Sequence, residues 1–331
     1  MSFVLNDVRT MGISEETRQK VLEAASELGY EPHAAARSLA GGSTGTIAVV
    51  IPRSDHLHVD AFLPRILNAV NDRCHTLGYK VLLETADDQI KQPGAFMNLV
   101  RGKSIDGLII LNMRTSEREY VEQLVEQDFP VVVPGSGSEV YRSRLTTNHD
   151  TVLAKVATKH LVDLGHRRIA HLTFAPREFE SVALRLSGYV QALEEGKLTP
   201  DMDLVAYGDL SARSGYDAMR QLLERGVKFS ALFAGNDTIA FGAMRALCEA
   251  GRRVPDDVAV VGFDDIPLAE FASPPLTTLH IDPLTLGRES VDMLLAQING
   301  EPYTRLEVGY DNSLIIRDSC GFNRSHKKTT A

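Results

Sequence analysis

The sequence predicts an α/β protein made of two doubly wound lobes with a crevice between them, preceded by a short helical segment. Three observations carry this. The chain has 331 residues, about twice the usual size of one domain. From Ile47 onward, short β-branched runs alternate with longer amphipathic stretches, the pattern of a parallel sheet covered on both faces. Near Asn148 the same rhythm starts again, which implies a second sheet and a crevice where strand C-termini meet.

The elements follow in order. IAVVI (47–51) is a strand, and the helical pattern after it runs through Phe62, Ile66, Ala69, Val70 and Leu77 to a stop at Gly78. KVLLE (80–84), a helical pattern reaching Val100, DGLIIL (106–111), a helix around Tyr120, Leu124 and Val125, and PVVVP (130–134) complete the first unit. The second unit has a helix from Asp150 to Leu164, the strand RIAHLT (168–173) and a helix from Ser181 to Glu195. SALFAG (230–235), a helix from Asp237 to Ala250 and VAVVGF (258–263) follow. At the other end, Ser14 is the N-cap of a helix with Thr17 at its third position, running through Val21, Leu22, Ala25 and Leu28 to Gly29. Pro32 opens an Ala-rich short helix that ends in the linker GGSTG (41–45). The tail from 321 to 331 is expected to be disordered, since Arg324, Lys327 and Lys328 stand in it with little apolar content.

Composition excludes several classes. With 44% hydrophobic and 24% charged residues, 25 Gly and 14 Pro, the chain is not collagenous, coiled-coil or mainly disordered. Cys74, Cys248 and Cys320 are odd in number and far apart, so neither a disulfide framework nor a metal spacing is expected. MSFVLNDVRTMG lacks a basic stretch followed by an apolar one, and the longest apolar runs are strand-sized. A cytoplasmic protein without a membrane segment is expected. The formal net charge is −9, which by itself argues against a polyanion partner. Residues 1–45 contribute −2 of this, from Arg9, Arg18, Lys20 and Arg37 against Asp7, Glu15, Glu16, Glu23, Glu27 and Glu31. The rest belongs to the two-lobed body.

Catalytic and cofactor signatures are weak. GGSTG precedes a strand, whereas a phosphate-cradling loop follows one and opens a helix. Neither GxGxxG nor GxxxxGK[ST] occurs, and GGSTG, although it fits the letters of GxSxG, precedes a strand and so is not a nucleophile elbow. His56-x-His58 is a metal pair or, more simply, a loop feature. No metal, cofactor or enzymatic activity is expected. The specific features are polar residues just past strand ends: Gly235-Asn236-Asp237 and Gly262-Phe263-Asp264-Asp265. Asp237 is either a crevice carboxylate or the cap of the next helix, and Asp265 either a ligand group or a turn residue. Asn236 and Asp264 point where a ligand belongs. Arg185, between Leu184 and Leu186, is either a fork for a hydroxyl or carboxylate or an exposed surface arginine.

These features occur together in one order in SEETRQKVLEAASELGYEPHAAARSLAGG (14–42), LVDLGHRRIAHLT (161–173), RLSGYVQAL (185–193), ALFAGNDTIAFGAMRAL (231–247) and VPDDVAVVGFDDIPLAEFASPPLTTL (254–279). Over nearly its whole length the sequence resembles the lactose-repressor (LacI/GalR) family of transcriptional regulators. The resemblance implies a helix-turn-helix headpiece and hinge helix (1–45) and a periplasmic-binding-protein-like effector body. Its N-terminal lobe would span 46–147 with 280–302, and its C-terminal lobe 148–279 with 303–320. It implies a homodimer that binds operator DNA and a small effector held between the lobes. The effector contacts it implies are Asp55, His58, Phe62, Ser181, Arg185, Leu210, Asn236 and Asp264. Arginine, carboxylate and amide around an apolar wall suit a polyhydroxylated ligand, a sugar or sugar derivative. Leu210 stands where some relatives carry a stacking aromatic, and Gly135 where relatives often carry Asp. On the DNA side the resemblance implies Ser2, Asn6, Thr17, Tyr30, His33 and Leu39, with Leu39 as the minor-groove wedge. Residues 1–6 resemble only the second half of a recognition helix, so the headpiece is expected to be partial and its DNA binding weak. The alternative is a solute-binding receptor with the same body, which a signal peptide and the absence of any headpiece would favour.

Overall fold

The computed structural model describes residues 4, 12–28, 43–86, 93–134, 149–302 and 314–322. A helix, α1 (Glu15–Glu27), precedes the body; the Ser14 hydroxyl caps it by accepting from the Thr17 amide at 3.2 Å. The first lobe is built on β1 (Thr46–Ile51), β2 (Lys80–Thr85), β3 (Gly107–Ile110) and β4 (Val131–Val132). Its helices are α2 (His56–Val59), α3 (Leu63–Thr76), α4 (Met97–Arg101) and α5 (Arg118–Glu126). The strands are parallel in the order β2-β1-β3-β4.

Strand β1 shows why these runs are continuously apolar. Ile47, Val49 and Ile51 face one core with Ile66, Val70 and Cys74, while Ala48 and Val50 face another with Phe96, Leu108 and Val121. A strand buried on both faces has no polar side to expose.

The second lobe contains α6 (His149–Asp163), β5 (Ile169–Thr173), α7 (Glu180–Glu195), β6 (Val205–Tyr207), α8 (Ala212–Glu224), β7 (Ala231–Ala234), α9 (Asp237–Glu249), β8 (Ala259–Asp264) and β9 (Thr277–His280). After β9 the chain gives α10 (Pro283–Asn299) to the first lobe, where Val291, Met293 and Leu294 join the core beside Ile47. The Gln297 side chain also completes the edge of β4, accepting from the Val131 amide at 3.1 Å and donating to its carbonyl at 3.3 Å. The chain then returns as β10 (Leu314–Ile315), antiparallel to β9, closing a six-stranded sheet of order β10-β9-β8-β7-β5-β6.

Several expectations shift. The helix expected to reach Val100 is only Met97–Arg101 among the described residues. β9 runs through His280, which pairs with Asp264, so the second sheet keeps one residue assigned by sequence to the first lobe. Phe322 packs toward His160, ring centroids 6.0 Å apart, so the start of the expected disordered tail belongs to the core. α8 carries no sequence-based expectation. It lies so close to α9 that a Cβ on Gly242 would sit 1.8 Å from the Ala212 carbonyl, and only glycine allows this backbone approach. Cys74 and Cys320 are buried, Cys248 is exposed, and all three are free thiols. No helix among the described residues is long and apolar enough to cross a membrane.

Candidate functional site

The lobes meet where loops leave the C-terminal ends of their central strands. On one side, the loop after β5 reaches across to the segment after β3. The Thr115 amide donates to the Glu178 carbonyl (2.8 Å) and the Glu180 amide to the Met113 carbonyl (3.1 Å). Arg118 pairs with the buried Glu180 at 2.6 Å, and the Arg114 guanidinium lies 5.4 Å from the Phe179 ring centroid. On another side, Asp209 after β6 lies 3.4 Å from Arg53 and 3.4 Å from the His56 ring, both following β1. Beside His56 first and Arg53 second, burial notwithstanding, the Asp209 carboxyl is held below its ordinary range.

Arg185 of α7 is the central cation of the second lobe at this junction. Its Nε donates to Asp150 Oδ1 at 2.9 Å, and Nη1 bonds the Gly235 carbonyl at the end of β7. The guanidinium is sandwiched between Phe174 and Phe263, 4.3 and 3.7 Å from their ring centroids. The stack and the two acceptors fix the fork in one orientation. With 11% of its side chain exposed, Arg185 is not the surface arginine that was one of its two readings.

Asp264 ends β8 at φ 109° and is 4% exposed. Burial pushes its carboxyl well above the ordinary range; Arg185 opposes this, while Asp237, Asp60 and Asp150 add to it. Asp60 belongs to the first lobe, where its carboxylate caps α3 by accepting from the Phe62 and Leu63 amides, both at 3.2 Å. Burial raises Asp60 as well. Carboxylates from both lobes therefore converge near one guanidinium.

The roles of Asn236 and Asp237 differ from the simplest expectation. Asn236, 2% exposed, is the cap: its Oδ1 accepts from the Ile239 amide at 2.8 Å. Asp237 turns inward and straps the end of β8. It accepts from the Phe263 amide (3.0 Å), the Ile266 amide (2.9 Å) and the Thr278 hydroxyl (2.6 Å). Burial pushes it up to about 7 against those donors. A Cβ on Gly262 would stand 2.2 Å from Asp237 Oδ1, so the strap needs glycine there. Asp265 fixes the turn, bound by Arg317 at 2.7 Å and His280 at 3.0 Å.

Among the other expected residues, Ser181 is half-buried one helical turn before Arg185, and Phe62 is half-buried at the start of α3. Asp55 is exposed and ion-paired with Arg53. His58 is exposed, whereas His56 is 1% exposed and is the histidine that reaches the other lobe. Leu210 is 1% exposed within the second-lobe core, packed in rather than presented at a surface. Thr17 is exposed on α1, with its hydroxyl 2.9 Å from that of Ser14. Ser2, Asn6, Tyr30, His33, Leu39 and Gly135 lie outside the described residues. Among the described residues, no group of three or more His, Cys, Asp or Glu could hold a metal ion.

Sequence reasoning missed Arg53, Asp60, Asp150 and Asp209 as site residues, and weighed His56 only as half of a metal pair or a loop feature. The rule that picked out Asn236 and Asp264, polar residues just past a strand end, also selects Arg53 after β1; Asp209 follows β6, a strand that carries no sequence-based expectation.

Known proteins share this fold. The periplasmic binding protein-like domain family matches residues 158–320. The HTH-type transcriptional repressor PurR of Vibrio atlanticus is 31% identical over 92% of this chain and 89% of its own. The chain belongs to the LacI family of transcriptional regulators. A lac repressor dimer bound to operator and the anti-inducer ONPF superposes with a TM-score of 0.78 at 30% identity, over 96% of this chain and 94% of that one. A complex of the transcriptional regulator CelR with cellobiose gives a TM-score of 0.72 at 31% identity, over the same shares. Of the two readings open from sequence, regulator and solute-binding receptor, these relatives carry the regulator.

Proposed function

We propose that this LacI-family protein is a cytoplasmic transcriptional repressor, acting as a homodimer, whose operator affinity is set by a small polyhydroxylated effector, a sugar or sugar derivative, bound between the lobes without chemical conversion. The observation that carries the reading is the Arg185–Asp264 arrangement. A guanidinium locked between two rings stands near a buried carboxylate held at a strained backbone angle, and such strain persists where function requires it. Arg185 would donate to effector hydroxyls, Asp264 would accept from them, and the Asn236 amide nitrogen, which the cap does not use, would donate. Phe62 would supply an apolar wall from the first lobe, and Ser181 a hydroxyl at the rim. The lobe boundaries proposed are the crossings around 148, 281 and 302. The lac repressor and CelR complexes show a related body with operator and with a sugar, respectively.

The mechanism follows from the cross-lobe contacts. An effector that engages both Asp264 and the first lobe favours one relative setting of the lobes, and any such differential affinity shifts the equilibrium between settings. Linkage then requires DNA to change effector affinity by the same factor. The test is a thermal-shift screen of neutral mono- and disaccharides against the wild-type chain and Asp264→Asn. A sugar that raises the wild-type Tm and not that of the variant supports the reading. A hit unaffected by Asp264→Asn and Arg185→Met, or no hit in a comprehensive panel, overturns it.

A further inference from the structure

We propose that Asp106 is a positioning residue: a carboxylate clasp that sets the direction in which the linker leaves the first lobe toward α1. Four donors from three consecutive residues converge on it. Ser43 Oγ donates to Oδ2 at 2.6 Å, the Thr44 amide and hydroxyl to Oδ1 at 2.6 and 2.9 Å, and the Gly45 amide to Oδ2 at 2.7 Å. Gly45 takes φ 63°, turning the chain into β1. The Gly45 carbonyl then accepts from the Lys80 amide, and the Thr46 carbonyl from that of Asp106, both at 2.8 Å. Burial alone would raise the Asp106 carboxyl, but the donors from Ser43, Thr44 and Gly45 outweigh it and hold it below the ordinary range. The clasp therefore stays ionised and closed through neutral and mildly acidic pH.

Its place in the fold gives the clasp a role beyond anchoring a loop. Asp106 immediately precedes β3, and the clasped residues immediately precede β1, two neighbouring strands at the middle of the first sheet. The other end of β1 leads into Arg53 and His56, which touch Asp209 of the second lobe. One six-residue strand, about 20 Å long, thus joins the clasp to the cross-lobe contact. A strand buried on both faces moves as a rigid rod, so a change of lobe setting at one end is felt at the linker only if the linker is held at the other.

The geometric claim needs no DNA to be tested; only its consequence for operator binding rests on the function proposed above. Spin labels at Ser26→Cys on α1 and Glu119→Cys on α5, in a Cys248→Ser background of the full chain, report the distance between helix and lobe. Asp106→Ala is expected to broaden the distance distribution and to speed amide exchange at Thr44 and Gly45 at least tenfold, with Asp106→Glu restoring part of each. Gln297→Ala, which loosens β4 of the same sheet without touching the clasp, is expected to leave both unchanged. An unchanged distribution in Asp106→Ala, or equal broadening in Gln297→Ala, overturns the proposal. With an operator selected from random duplexes by the wild-type chain, Asp106→Ala is expected to weaken DNA binding and leave sugar binding intact. If the wild-type chain selects no duplex, the regulator reading fails while the distance measurement still decides the clasp.

Discussion

Replacing Arg185 with methionine removes a charge and keeps much of the side chain's length. The structure sets the expected cost. Arg185 and Asp150 form a 2.9 Å ion pair with side chains 11% and 9% exposed, little screened by solvent. Removing one partner strands the other as a buried charge, at about 3–5 kcal/mol. The thioether retains part of the packing between Phe174 and Phe263, while the cation–π share, about 0.5–2 kcal/mol, is lost. Arg185→Met should therefore lower stability by about 3.5–7 kcal/mol. The double variant Asp150→Asn/Arg185→Met removes both charges and should recover at least about 2 kcal/mol of that loss, as mutually dependent partners do. Urea denaturation followed by circular dichroism on the wild type, both single variants and the double variant closes the cycle. A single-variant cost below about 1 kcal/mol, or strict additivity in the cycle, would refute the argument that this pair braces the crevice wall.

Three further expectations follow from other parts of the second lobe. His171 is fully buried, stacked on Phe233 and Tyr189 with Nδ1 3.0 Å from the Phe233 carbonyl, and burial lowers it from 6.5 to about 4. The unfolded chain thus binds more protons between those values, so this group's contribution is complete above pH 6.5 and about 3 kcal/mol is lost as pH falls to 4. His171→Phe should flatten that limb of the stability profile, and parallel profiles would contradict the assignment. Asp237→Ala orphans the buried Phe263 and Ile266 amides, so chemical denaturation should show a loss of about 4 kcal/mol; a loss under 1 would mean that Asp237 is not the strap of β8. Gly242→Ala drives a methyl into the Ala212 carbonyl, and a Tm drop equivalent to about 3 kcal/mol is expected.

The legible part of the fold was the local part. The Ser14 cap, the two-faced apolar run of β1 and the restart of the rhythm near Asn148 each depend on residues close in sequence. α8 was equally open to a local reading: Gly215, Ala218, Met219 and Leu222 are buried at helical spacing, so its apolar face stands in the sequence although no helix was expected there. α10 belongs to the first lobe although it follows β9 of the second, and only tertiary packing decides that. The candidate site divides the same way. Asn236, Asp264 and Arg185 could be singled out from motifs. Arg53 and Asp209 meet across 156 positions, and nothing local to either announces the other. Choosing between Asn236 and Asp237 as the cap required the turn after β8, because Asp237 finds better partners in the Phe263 and Ile266 amides than in its own helix. That His56 and not His58 is the buried histidine of the pair has a related cause, since burial within a four-residue helix depends on the lobe opposite.

The central claim is that one crevice controls DNA binding. Fluorescence anisotropy of an operator duplex, selected from genomic fragments by the full chain and titrated with the sugar that most raises its Tm, tests this most directly. Operator affinity should change by at least fivefold with the sugar, about 1 kcal/mol of coupling, and Arg185→Met should lose the response while keeping sugar-free DNA binding. Operator affinity indifferent to a sugar that demonstrably binds the crevice would contradict it.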